Sequence, residues 1–255
     1  MAAVTADSVG RRYDRIGVGY AARRVPDARW EARIRAALGD ASTVLNVGAG
    51  TGSYEPTDRM VVALEPSPTM IDQRRHDAAP AVRGSAEALP FSDGAFDVAL
   101  AIFTVHHWPD PARGLAELRR VARRQVVVTW DPLVFAQRMW LVADYLPEVY
   151  EWEAKLATEH TVVELLASAR SEPLAVPFDC TDGVLGAYWR RPEAFLDPAA
   201  QGANSGTALL DPDLVRRAIA RLAEDLDSGV WHRRHRDLLE ITELDVGYRI
   251  VTAGE

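Results

Sequence analysis

Short, mostly apolar runs recur through the first half of the chain, separated by polar stretches with helical periodicity. A nearly continuous apolar run is typical of a strand buried on both faces of a sheet. Strands and helices that alternate with short connections predict a right-handed, mostly parallel sheet. The strand-like runs are Val44–Val47, Val61–Leu64, Phe96–Phe103 and Gln125–Trp130.

Helix-start signals lie between these runs. Ser67-Pro68, Asp110-Pro111 and Asp131-Pro132 each put a capping side chain before a proline, which suits the first helical position. An earlier helix is predicted over 27–38, with Trp30 and Leu38 among the apolar residues of one stripe. Each predicted helix can therefore cover one face of the sheet.

A glycine turn follows the first strand-like run. Gly48-Ala49-Gly50-Thr51-Gly52 lets the main chain turn tightly and approach a ligand, and the second run ends in Glu65, a carboxylate suited to a ribose diol. The spacing is G-x-G-x-G, unlike the G-x-G-x-x-G of dinucleotide sites, and Pro56 leaves room for little more than one helical turn. We therefore expect a nucleoside ligand without a phosphate; the alternative is a tight turn that binds nothing.

The second half of the chain breaks this alternation. Residues 133–240 contain helical stretches rich in aromatic residues, and 243–251 read as a last strand. Residues 1–39 form either a packing arm or a lid over the ligand, and in a lid Tyr13 and Tyr20 would reach it.

Composition narrows the class of protein. With 255 residues and 48% hydrophobic content, the chain suits one large α/β domain with insertions, or a domain and a cap. The net charge of −8 disfavours a nucleic-acid partner. Cys180 is the only cysteine, so a disulfide framework is excluded. Without a signal-peptide pattern or a bilayer-spanning run, we expect a cytoplasmic protein with no membrane partner.

The order of these motifs resembles the class I S-adenosylmethionine-dependent methyltransferases, in particular the small-molecule group of ubiquinone and menaquinone type. The motifs that carry the resemblance are Val44–Gly52, Val62–Glu65, Gly84–Phe91, Phe96-Asp97, His106-His107-Trp108 and Glu117–Val121. The resemblance implies a Rossmann-like, seven-stranded, mostly parallel sheet with helices on both faces and the final strand antiparallel at or near the edge. It also implies four regions: an N-terminal helical arm (1–39), the cofactor-binding core (40–132), a helical cap (133–240) and the final strand (241–255).

S-adenosylmethionine is the cofactor that the resemblance implies. The glycines would lie against its methionine and ribose, Glu65 would hold the ribose hydroxyls, and residues 85–87 would read the adenine. Two positions depart from the family pattern, because Asn46 and Ser85 stand where aspartate is usual. The predicted cofactor-binding residues are Tyr20, Asn46, Gly48, Ala49, Gly50, Gly52, Glu65, Pro66, Met70, Ser85, Ala86, Glu87, Ile102 and Phe103.

Methyl transfer to an oxygen, nitrogen or carbon atom of a small organic molecule is the predicted reaction. His106 or His107 would act as the base or bind the substrate, or else only orient their loop. The predicted substrate-binding residues are Tyr13, His107, Asp131 and Trp189. No metal is expected, a homodimer is allowed, and the alternatives are an RNA or protein methyltransferase or a non-catalytic S-adenosylmethionine-binding protein.

Overall fold

The computed structural model describes residues 25–202, 207 and 210–254. Seven of the strands in these residues form one sheet in the order β3-β2-β1-β4-β5-β9-β6, and β7 pairs with β8 separately. The strands are β1 (Thr43–Val47), β2 (Met60–Glu65), β3 (Ala81–Arg83), β4 (Phe96–Ile102), β5 (Ala122–Trp130), β6 (Arg170–Pro173), β7 (Val176–Pro177), β8 (Glu243–Leu244) and β9 (Tyr248–Gly254).

The first five strands are parallel, so their carboxyl ends meet at one edge of the sheet. β9 runs antiparallel between β5 and the edge strand β6. This topology confirms the predicted fold class, including an antiparallel final strand near the edge. The predicted strand over 243–251 is divided in the structure, because β8 pairs with β7 before the chain enters the main sheet as β9.

The described helices are short except for α1, α3 and α8. Ser67, Asp110 and Asp131 cap α2 to α4 as the sequence predicts, and Asp27 caps α1; each accepts a backbone N–H of the first turn. The helices are α1 (Ala28–Leu38), α2 (Pro68–Asp72), α3 (Pro111–Val121), α4 (Pro132–Arg138), α5 (Glu148–Glu153), α6 (Glu159–Leu165), α7 (Pro198–Gly202), α8 (Pro212–Asp227) and α9 (Val230–Arg234). A π-helical turn covers Leu141–Tyr145, and 3₁₀ turns cover Val105–His107, Leu185–Tyr188, Pro192–Leu196 and Arg236–Glu240. None of these helices has the length and apolar character that a bilayer span requires.

The sheet has a separate apolar core on each face. Successive residues of a strand point to opposite faces, so Val126 and Val128 pack with α1 and the aromatic cap, whereas Val127 packs with α3 and α6. The cap core includes Trp140 and Trp231, whose rings meet edge to face with centroids 5.4 Å apart. The predicted boundaries at residues 40, 133 and 241 stay predictions, although β6 joins the main sheet from within the predicted cap.

The glycine turn is followed by a buried ion pair between Glu55 and Arg74 and not by a helix. The segment from 48 to 59 contains turns only, in agreement with the expectation from Pro56. Arg74 donates to both carboxylate oxygens of Glu55, at 2.8 and 2.7 Å, and to the carbonyl of Gly50 at 3.2 Å. The two side chains are only 5% and 7% exposed. The helix α2 ends at Asp72, and Arg74 lies in the bend that follows it.

We expect the Glu55→Gln variant to be destabilised by about 3 kcal/mol, because it removes the carboxylate that is paired with the buried Arg74 guanidinium. Urea denaturation followed by circular dichroism measures this loss. Asp77→Asn is the control, since it removes a partner of Arg75 in an ion pair that is 77% and 70% exposed. A Glu55→Gln midpoint as close to wild type as that of Asp77→Asn would contradict the role of the buried pair.

Candidate functional site

A cleft lies at the carboxyl edge of the sheet, where the chain leaves β1, β2 and β4. The space between its walls, counted out into the open solvent, is about 970 Å³. The predicted residues that line it are Asn46, Gly48, Ala49, Gly50, Glu65, Pro66, Met70, Ser85, Ala86, Glu87, Ile102, Phe103 and His107.

Two of the predicted residues support neighbouring structure instead of lining the cleft. Gly52 packs on the ion pair, because a Cβ there would lie 3.0 Å from a carboxylate oxygen of Glu55. The Asp131 side chain accepts the backbone N–H groups of Leu133 and Val134, and so caps α4. We therefore leave Gly52 and Asp131 out of the ligand-binding set.

Trp189 and His106 also lie elsewhere. Trp189 is fully buried in the cap core, where its indole donates to the Val176 carbonyl at 3.0 Å, so it presents no surface to a substrate. The His106 ring packs against its neighbours behind the cleft. Tyr13 and Tyr20 lie outside the described residues.

The glycine turn is fixed by its neighbours on both sides. The amides of Gly48 and Ala49 both donate to the Leu64 carbonyl, at 2.8 and 3.1 Å. Gly48 has φ +68°, and a Cβ at this position would collide with the Thr104 side chain at the end of β4. Only glycine meets both conditions, so the turn brings bare backbone to the cleft.

Two backbone amides orient the Glu65 carboxylate at the end of β2. Its two carboxylate oxygens accept the amides of Gly50 at 2.8 Å and Ser67 at 2.9 Å. Burial raises the pKa of Glu65, while these two amides and the nearby Arg74 oppose that rise. A carboxylate offers about four acceptor sites, so Glu65 keeps capacity for the hydroxyls of a ligand.

Asn46 carries an unused acceptor in the cleft. Its amide group donates to Glu55 at 3.0 Å, while its Oδ1 is buried without a hydrogen-bond partner among the described residues. A buried acceptor without a partner is costly, and a ligand that donates to it removes that cost.

Ser85 and Glu87 face the cleft as a pair. The Ser85 hydroxyl donates to Glu87 Oε2, and Glu87 Oε1 accepts the amide of Asp110 at 3.3 Å. Both side chains are therefore oriented before any ligand arrives, with polar atoms on the side of the cleft where adenine is predicted to bind.

Thr104 and Tyr54 line the cleft although neither was predicted to do so. Thr104 lies against Gly48, and Tyr54 has a left-handed backbone with φ +62°, as does the predicted residue Phe103 with φ +49°. A positive φ in a non-glycine residue is strained and is concentrated at functional sites. Neither the strain nor the contact between Thr104 and Gly48 leaves a signal in the local sequence.

A column of side chains leads from the cleft towards the cap. The rings of His107 and His106 have centroids 3.6 Å apart, and His106 meets Trp130 edge to face at 4.7 Å. The Trp130 indole donates to Glu153 Oε2 at 3.0 Å. Burial raises the pKa of Glu153 to about 7, because the carboxylate loses water, and the hydrogen bond from Trp130 offsets this only in part. Sequence reasoning missed Glu153, since a glutamate in a short polar helix is usually solvated.

The comparisons with known proteins agree with this fold and cleft. A protein family described as "Methyltransferase domain" matches residues 45–128. The crystal structure of an Anabaena variabilis protein, described as a methyltransferase from an antibiotic biosynthesis pathway, superposes with a TM-score of 0.80. It is 30% identical and covers 91% of this chain and 99% of its own.

Curated relatives match shorter parts of the chain. An uncharacterized methyltransferase of Mycobacterium tuberculosis is 41% identical over 92 residues, which is 32% of this chain and 36% of the relative. The chain thus spans little more than a third of that protein. The demethylmenaquinone methyltransferase of Corynebacterium kroppenstedtii is 28% identical over 66% of this chain and 77% of its own length.

The chain belongs to the class I S-adenosylmethionine-dependent methyltransferases. The predicted family, enzyme class and cofactor are confirmed by this membership. The chemistry of the cleft also suits this cofactor, which is an amino-acid nucleoside. The cleft offers backbone without a side chain at Gly48, the Asn46 acceptor that has no partner among the described residues, and the oriented carboxylate of Glu65. In the described part of the chain, no three His, Cys, Asp or Glu side chains converge as a metal site requires.

We expect Gly48→Ala to weaken the binding of S-adenosylhomocysteine at least about tenfold, because the new methyl group must displace Thr104 or the turn itself. Isothermal titration calorimetry measures the change. Gly94→Ala is the matched control, since Gly94 also has a positive φ of +61° but a Cβ there meets nothing within 4 Å. Equal affinities for the two variants would show that the close approach of Gly48 to Thr104 does not matter for cofactor binding.

The raised pKa of Glu153 makes stability depend on pH. Its pKa is about 7 in the folded chain and near 4.5 when unfolded, so the unfolded chain releases the proton first as pH rises. The stability that the folded chain gains from protonated Glu153 is fully present below pH 4.5 and is lost as pH rises to about 7. Glu153→Gln does not titrate. We therefore expect the unfolding free energy of this variant, relative to that of wild type, to rise by roughly 2–3 kcal/mol across this range.

Urea denaturation at intervals between pH 4.5 and 8 tests this expectation. Glu151→Gln removes an exposed carboxylate from the same helix and serves as the control. A difference between Glu153→Gln and wild type that stays constant with pH would mean that Glu153 ionises normally.

Proposed function

We propose that this protein transfers a methyl group from S-adenosylmethionine to a small organic acceptor. The observation that supports the proposal is that residues suited to bind the cofactor and a histidine suited to accept a proton line the same cleft. The glycine turn, Glu65 and the Ser85–Glu87 pair are suited to an amino-acid nucleoside, and His107 lines the same cleft. A binding site with a titratable side chain beside it is suited to transfer as well as to binding.

Each part of the cleft has a role in this proposal. Glu65 accepts the ribose hydroxyls, and Ser85 with Glu87 reads the adenine. The backbone of the glycine turn and Asn46 Oδ1 hold the methionine end. Ile102 and Phe103, at the end of β4, lie beside the reactive methyl group.

His107 takes the proton that the acceptor loses. When bound, S-adenosylmethionine would supply the methyl group, its C–S bond breaking with both electrons left on sulfur as the bond to the acceptor atom forms. The acceptor's proton passes to an imidazole nitrogen of His107, which lines the cleft, while His106 holds the His107 ring from behind. Positioning of the two reactants in line supplies much of the remaining rate.

A small aromatic acceptor is favoured over a macromolecule. Phe103, His107 and Trp108 give the cleft an aromatic wall, and the net charge of −8 opposes RNA. The Corynebacterium relative is named for methylating demethylmenaquinone, a quinone. Hydroquinones and phenols are therefore the first acceptors to test.

Calorimetry with S-adenosylhomocysteine, followed by a product assay with methyl-labelled S-adenosylmethionine, tests the function. The panel contains hydroquinones, phenols and amines, with transfer RNA as a separate arm. We expect micromolar binding and labelled product in at least one small-molecule arm. Binding without product in any arm would favour a non-catalytic binding protein, and label in RNA alone would overturn the proposed acceptor class.

We expect His107→Ala to lower kcat about 100-fold and to flatten the pH profile of the rate near neutrality, because the proton acceptor is lost. His106→Phe keeps a ring against Trp130 and should retain most activity. His160→Ala is the control, since that side chain is 90% exposed. Unchanged His107→Ala rates at several pH values would refute the base assignment and leave the transferase proposal standing.

A further inference from the structure

Tyr54 combines a strained backbone with a position in the cofactor cleft. It follows the glycine turn directly, lines the cleft, and has φ +62° although it is not a glycine. A left-handed backbone costs a non-glycine residue about 1–2 kcal/mol. Such a conformation persists only where the surroundings fix it, so the contacts of the side chain must hold it in place.

The Tyr54 hydroxyl is held on two sides by buried groups. It donates to Asp182 Oδ2 at 2.7 Å, and it accepts the backbone N–H of Asp27 at 3.2 Å. Tyr54 is 4% exposed, and Asp27 and Asp182 are each 1% exposed. A short hydrogen bond to a buried carboxylate is among the stronger kinds, so these contacts can stabilise the strained backbone.

These bonds join three segments that are distant in sequence. Asp27 caps α1, and its side chain also accepts the amide of Thr181 at 3.2 Å. Asp182 accepts the amide of Val184 at 3.2 Å and so shapes the same cap segment. The Tyr54 hydroxyl is therefore the point where the glycine turn meets both the start of α1 and the cap.

We propose that Tyr54 is a positioning residue for the cofactor. Its hydroxyl, bonded to Asp182 and to the Asp27 amide, fixes the end of the glycine turn. It thereby couples cofactor binding to the packing of cap residues 181–184. The inference rests on the proposed function, since it concerns the same cleft. Two anchors then hold the turn in the absence of a helix: the Glu55–Arg74 ion pair below it and the Tyr54 hydroxyl at its end. The ion pair holds the Gly50 carbonyl, whereas Tyr54 links the turn to the cap.

Tyr54→Phe is the test, because it removes the hydroxyl and keeps the ring. We expect the Kd for S-adenosylhomocysteine to rise about tenfold, as the turn is no longer held in its binding conformation. Asp182→Asn retains an oxygen acceptor for the phenol and should restore most of the affinity that Asp182→Ala loses. Tyr145→Phe is the matched control, since it removes a Tyr–Asp hydrogen bond of the same 2.7 Å length, to Asp225, away from the cleft.

A second measurement needs no cofactor. In the ligand-free protein, hydrogen exchange of the amides in 50–55 and 181–184 should speed up together in Tyr54→Phe, and neither segment should change in Tyr145→Phe. A purely structural role would lower Tm in both variants while the Kd stayed at the wild-type value, and that result would overturn the inference. Failure of the wild-type protein to bind S-adenosylhomocysteine would instead overturn the proposed function, and the inference with it.

Discussion

The buried ion pair between Arg74 and Glu55 is the interaction on which the cofactor cleft depends. A glycine turn that enters a helix is stabilised by the helix that follows, but this chain turns back to β2 without one. The planar guanidinium takes over that role, because its donors reach both Glu55 oxygens and the Gly50 carbonyl at once. A lysine ammonium, which lacks the planar fork, would not satisfy this set of acceptors in the same geometry.

The same ion pair gives a physical reason for asparagine at position 46. The resemblance leads us to expect aspartate there, but the Asn46 amide donates to Glu55, a carboxylate already present beside it. An aspartate would place a second carboxylate against the first in a buried setting, which is unfavourable unless one takes up a proton. A neutral amide supplies the missing donor and still presents an acceptor to the cleft, so the departure from the family pattern is part of the way this turn is held.

Local signals predicted the elements, whereas contacts between distant segments decided the details of the site. Capping residues before proline, apolar runs and the glycine turn each act over a few residues, and the structure follows them closely. Tyr54, Thr104 and Glu153 gain their importance from partners far away in sequence, which no local pattern encodes. Trp189 illustrates the same point. An aromatic residue beside two arginines suggested a substrate-binding residue, but its indole lies inside the cap core in the structure.

The two sides of the cleft are therefore built in different ways. The cofactor side consists of backbone groups and short motifs at the ends of β1, β2 and β4, within the segment that matches the family over 45–128. The His107 side depends on a column of side chains that ends at Glu153 in the cap. Backbone groups present the same donors and acceptors whatever side chains surround them, whereas each substitution in a column of packed rings and one buried carboxyl group changes its shape. Differences in acceptor between relatives should for this reason arise in the column and the cap, while the glycine turn and Glu65 continue to serve one cofactor.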